Sequence, residues 1–82
     1  MKAIEVIAVF SSNGTPRPMR LRMIKDGCFE VIQIRKVLYQ IEDKQADVSY
    51  ITFRCQGNLR GALKDFELLF NKSTCVWTLL KI

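Results

Sequence analysis

An all-β domain, a small antiparallel barrel or rolled meander sheet of about six strands, is the architecture this sequence predicts. Three observations lead there. Apolar segments of strand length are separated by short turn-forming clusters: Ser11-Ser12-Asn13-Gly14, Asp26-Gly27, Gly57-Asn58 and Asn71-Lys72-Ser73-Thr74. Within the segments, β-branched and aromatic residues alternate with charged ones. Several segments are also apolar on both faces, which suits a sheet that curls into a barrel or folds into two layers and so hides its edges. With 82 residues there is room for one core and one domain, residues 1–82.

The first segment, residues 2–10, sets Ile4, Val6, Ala8 and Phe10 against Ala3, Glu5, Ile7 and Val9, two largely apolar faces that predict a strand covered on both sides. Residues 11–18 form a loop in which Pro16 and Pro18 fix φ and lack amide donors, so Pro18 opens a strand or lies on an edge. Residues 18–25 alternate most cleanly, with Met19, Leu21 and Met23 on one face and Arg20, Arg22 and Ile24 on the other. Asp26-Gly27 follows as a hairpin signal, because both central positions of a type I′ turn need positive φ.

The third segment starts at Cys28 and is read as one long strand onward to Ile41, bent by a bulge near Arg35-Lys36. Ile34, Val37, Leu38 and Ile41 also have helical spacing, but no capping residue precedes them. Residues 42–47 are polar and read as a loop. In residues 48–56, Ile51, Phe53 and Cys55 point inward and Tyr50, Thr52 and Arg54 outward, with Gly57-Asn58 as the turn. Residues 59–70 repeat the ambiguity, since Leu59, Ala62, Leu63, Phe66, Leu69 and Phe70 fit one helix face while Gly61 weakens a helix by about 1 kcal/mol. The alternative to the all-β fold is therefore α+β, with a short helix at 34–44 or 59–70. Residues 66–70 and 75–82 read as a closing hairpin, with Trp77 as a core filler.

Composition narrows the chemistry. The chain has no histidine, so the commonest general base is missing and Ser-His or Cys-His nucleophile pairs cannot form. Asp65 with Glu67 and Glu42 with Asp43 are the carboxylate pairs, but an open sheet surface lacks the burial that tunes a pKa. Cys28, Cys55 and Cys75 are widely spaced, include no CxxC pair and sit in apolar patterns, so they are read as buried reduced thiols rather than metal ligands. The glycines of residues 57–61 match no phosphate-binding loop. No enzyme, metal or cofactor is expected. No apolar run could span a bilayer, and Glu5 interrupts the N-terminal segment before any cleavage site, so a cytoplasmic protein without a signal peptide is expected.

Thirteen Lys and Arg against eight Asp and Glu give a net charge of +5. The basic residues are spread along the chain, which favours solubilising charge over a dedicated nucleic-acid face. The candidate anion-binding residues are Arg17, Arg20 and Arg22 around the second strand, Tyr50 and Arg54 on the fourth, and Arg60 after the next turn. Were those faces adjacent, they would form one patch able to contact phosphates and stack a base.

The stretch Pro16-Arg17-Pro18-Met19-Arg20-Leu21-Arg22, the strand at residues 31–39 and the closing Phe66-Glu67-Leu68 and Trp77-Thr78-Leu79 pair resemble short, uncharacterised bacterial single-domain β proteins with a proline-arginine strand and a C-terminal tryptophan strand. Those proteins often carry an aromatic in the proline-arginine strand, where this chain has Leu21 and Met23. The resemblance implies a compact β domain from a bacterial cytoplasm and transfers no functional residue. The expected function is a non-catalytic protein-interaction or self-associating module, with a protein partner or a second copy. The alternative is a small nucleic-acid-binding β domain using the arginine-rich strand face.

Overall fold

The computed structural model describes residues 2–82; Met1, part of the segment read as lacking a signal peptide, lies outside the described residues. Six strands follow one another: β1 (Lys2–Phe10), β2 (Pro16–Lys25), β3 (Cys28–Gln45), β4 (Val48–Leu59), β5 (Ala62–Asn71) and β6 (Val76–Lys81). Each pairs antiparallel with the next, and β6 returns to β1 to close a meander barrel. Among the described residues there is no helix, so none is long and apolar enough to cross a membrane.

Both helical alternatives are strand, and the misleading spacing has a cause in each case. Along β3 the register against β4 slips between Ile34 and Lys36 and again between Val37 and Tyr39. Each bulge adds one residue to the repeat and stretches the period from two towards three, which imitates a helix. In residues 59–70, Leu59 and Ala62 are cross-strand partners on either side of the Arg60-Gly61 turn, so their separation of three belongs to a hairpin.

Three boundaries differ from expectation. β4 runs straight through Gly57-Asn58 and turns at Arg60-Gly61, where φ is 52° and 79°. β3 continues through Gln45, and the chain reverses at Ala46-Asp47 with φ of 50° and 66°. β2 begins at Pro16 rather than Pro18. The Asp26-Gly27 hairpin forms as read, with positive φ at both residues.

Inward residues of β2 to β6 make the core, with Ile32, Phe53, Cys55, Phe66 and Leu68 wholly buried. Trp77 packs between Phe53 and Phe70, ring centroids 5.5 and 4.7 Å away, and is the core filler expected. Two expectations about burial fail. Ile7 and Val9 are 55 and 48 % exposed, so β1 is covered on one side only. Cys28 and Cys75 are exposed and only Cys55 is buried, because the first two flank turns while Cys55 points into the barrel.

One end of the barrel is closed more tightly than the other. β2 pairs with β1 as far as Pro16, but with β3 only from Arg20 to Lys25. Pro16 and Pro18 have no amide to donate, and β3 bends away at its bulges, so the two strands splay. Beyond the splay β3 stays paired to β4 alone, while β5 follows β4 as far as Tyr50–Asn71 and Lys72 Nζ, in the turn after β5, lies 2.9 Å from Glu42 Oε2.

Candidate functional site

Three arginines line the outside of β2. The register between β1 and β2 slips between Ile7 and Ala8, which makes Met19 an extra residue rather than a member of the inward Leu21–Met23 face. That bulge lets Arg17 and Arg20, three apart in sequence, point to the same side as Arg22. Cross-strand rows run Glu5–Arg22–Val31 and Ile7–Arg20–Gln33, with Val9 opposite Arg17 beyond them. A shallow concavity of about 490 Å³ lies among Ile7, Arg20, Arg22 and Val31.

The arginines differ in what they can offer. Arg22 donates from Nε to Glu5 Oε1 at 2.6 Å and lies with its guanidinium carbon 4.2 Å from the Phe29 ring centre. Arg17 and Arg20 make no ion pair among the described residues. Their surroundings are apolar: Ile7, Val9, Ile24, Phe29 and Val31 on this wall are each about half exposed or more. Residues 1–36 carry seven Lys and Arg against three Asp and Glu, whereas the rest of the chain has six against five. The charge excess therefore belongs to the part of the chain that builds this wall.

Tyr50, Arg54 and Arg60 lie elsewhere. Tyr50 and Arg54 face outward on β4, with β3 between them and β2, so the single patch considered from sequence is not formed. Arg54 is held between Asp65 and Glu67, at 3.6 and 3.5 Å, which occupies both carboxylates of the candidate pair on β5. Arg60, in the turn after β4, sits 2.9 Å from Glu30, whose side chain points inward at one barrel end and is 7 % exposed. Glu42 and Asp43, the other carboxylate pair, point to opposite faces of the β3–β4 hairpin, Glu42 towards Lys72.

Burial pushes the Cys55 thiol up to about 12, against a smaller opposing pull from the Arg54 guanidinium, so it is a neutral packing group at ordinary pH. Among the described residues, no three metal-ligating side chains come together. No protein-family model, curated protein or solved structure significantly matches the chain.

Phe29, Val31 and Gln33 were missed as wall residues, although a signal for them existed. A two-residue turn at Asp26-Gly27 puts Lys25 opposite Cys28, and counting outward then pairs Ile24 with Phe29, Arg22 with Val31 and Arg20 with Gln33.

Proposed function

We propose that this domain is a non-catalytic interaction module whose binding face is the outer wall of β1, β2 and β3, and that it takes an acidic, partly apolar protein segment. The observation that carries the reading is the mixture on that wall. Unpaired Arg17 and Arg20 stand among exposed Ile7, Val9, Phe29 and Val31. Arginine and aromatic residues are enriched in protein interfaces, and an aliphatic surround is the composition of a patch that meets another protein. A nucleic-acid face would set polar and aromatic groups around its cations in place of isoleucine and valine. Support for a non-catalytic role comes from the absence of histidine in the chain, the engagement of Asp65 and Glu67 with Arg54, and the burial of Cys55.

The test is selection from a displayed random-peptide library, followed by fluorescence anisotropy on the selected peptides. Selected sequences should be acidic with apolar residues between the charges. Their affinity should fall roughly tenfold in Arg20→Ala, the loss of about 1.4 kcal/mol, and stay unchanged in Arg54→Ala. Enrichment of basic or uncharged peptides, or equal loss in the two variants, would overturn the reading. The nucleic-acid alternative rests on the Arg22–Phe29 stack, which could extend to a base. Labelled single-stranded RNA and DNA in the same assay decide it: binding that falls steeply with salt and drops in Arg17→Ala and Arg20→Ala would replace the protein segment with a nucleic acid.

A further inference from the structure

The free edge of β3 points to a second surface, next to the wall just described, since Tyr39 and Gln40 share a concavity with its far end at Val9 and Arg17. Over residues 37–45, β3 is paired to β4 on one side and to no strand on the other, because β2 leaves the ladder at Arg20. A run of backbone donors and acceptors is thus left facing outward, and such an edge templates the addition of another strand. Leu38, Tyr39 and Ile41 along it are 41, 49 and 57 % exposed. No proline lies within residues 37–45, so every backbone donor is present.

We infer that this edge pairs with the same edge of a second copy, antiparallel about a two-fold axis at Gln40, to form a weak dimer. The argument comes from the row of side chains that faces outward here. The register against β4 puts Lys36, Tyr39, Ile41 and Asp43 on one face, with Leu38 as the bulge residue. Read in order, the row is basic, aromatic, aliphatic, acidic. Reversed against itself about Gln40, with Leu38 left out of the ladder as it is against β4, it sets Lys36 of each copy opposite Asp43 of the other and Tyr39 opposite Ile41. Opposite charges and aromatic–β-branched pairs are the favourable cross-strand combinations.

Charged residues at a strand edge usually oppose pairing. Here they select its register. Sliding either strand so that Asp43 meets Asp43 places like charges in contact, and a parallel arrangement stacks Lys36 on Lys36. Only the antiparallel register about Gln40 satisfies both ends. The contact is short, one strand pair with two charge pairs at its rims, so its affinity falls in the transient class.

The measurement is sedimentation equilibrium of the full chain from micromolar to millimolar concentration, with reductant present because Cys28 and Cys75 are exposed. A reversible monomer–dimer equilibrium is expected. Lys36→Asp and Asp43→Lys should each weaken it at least tenfold, and the double reversal should restore it. Both side chains lie on the surface, so circular dichroism should show the single variants folded as the wild type. Arg20→Ala should leave the dimer intact, which separates this surface from the wall of β1, β2 and β3. A wild-type monomer at all concentrations would overturn the inference. So would a dimer indifferent to either reversal, or one that the double reversal fails to restore.

Discussion

Gly57 passes so close to Gln33 that a Cβ built on it would sit 2.5 Å from the Gln33 carbonyl oxygen, with Ile32 Cγ2 at 2.9 Å and Phe66 Cε1 at 3.1 Å. β3 and β4 can approach at this bend only because one of them has no side chain there. Gly57→Ala should destabilise the fold by about 3 kcal/mol or more, at the upper end of the overpacking range, since the first obstacle is backbone and cannot rotate away. Gly61→Ala provides the contrast. That site is open but has φ of 79°, so only dihedral strain of about 1 kcal/mol applies. Urea denaturation of the two variants would check the order, and a cost at Gly61 equal to that at Gly57 would contradict it.

Ala46 is an alanine in a left-handed conformation, with φ of 50° in the two-residue turn between β3 and β4. Asn or Gly suits that position far better. Replacing Ala46-Asp47 with Asn-Gly should stabilise the protein by about 1–2 kcal/mol, seen as a melting temperature higher by several degrees. No gain in thermal unfolding would mean that the strain is relieved elsewhere in the hairpin.

Glu30 and Arg60 form a pair with one member almost buried and the other mostly exposed. Exposure of the arginine screens the attraction, so Arg60→Ala should cost only on the order of 1 kcal/mol, chiefly from leaving the inward carboxylate without its partner. Glu30→Gln in the Arg60→Ala background should recover part of that loss. A double-mutant cycle measures the coupling, and additive single effects would show that the pair contributes nothing.

The three thiols should separate by reactivity. Cys28 and Cys75 are exposed and should alkylate readily with iodoacetamide, while Cys55 should react only on unfolding. Cys55 also carries a pH dependence. Its pKa is raised from 9.0 to about 12 in the folded protein, so the folded state holds the thiol proton more tightly than the unfolded chain does. This contribution is complete below about pH 9 and is lost as pH rises towards 12, by up to about 1.4 kcal/mol per pH unit. Comparison with Cys55→Ala isolates it from other titrating groups. Parallel stability curves for the two proteins above pH 9 would remove Cys55 as the cause.

Much of the fold was legible because the turns carry chemistry that few other structures need. Asp26-Gly27 sets a register, and the strands beside it follow by counting. What misled was a glycine used for a different purpose. Gly57-Asn58 has the composition of a turn, yet Gly57 is there to let two strands touch, and the turn falls on Arg60-Gly61. Ala46-Asp47 gave no signal, since alanine tolerates positive φ poorly and is not expected in such a turn. The bulge at Arg35 was legible as a bend in the long third strand, whereas those at Met19 and Leu38 leave little compositional trace apart from the period they disturb. The candidate wall was half visible: Arg17, Arg20 and Arg22 stood out by charge, whereas their apolar neighbours came from strands whose alignment only the turn register reveals.

The closure between β1 and β6 rests on three residue pairs, Lys2–Leu79, Ala3–Thr78 and Ile4–Trp77, while every other ladder joins strands adjacent in sequence. Five hairpins can zip locally, but this seam must bring together residues about seventy-five positions apart, where loop-closure entropy is greatest. It should be the last ladder to form and the first to open. Amide protons of residues 2–4 and 77–79 that point across this seam should then exchange by a low-energy opening that leaves the β5–β6 ladder and β3, β4 and β5 protected. The molecule behaves as a rolled strip with a fastener, and its slowest folding step and its weakest native hinge share one address.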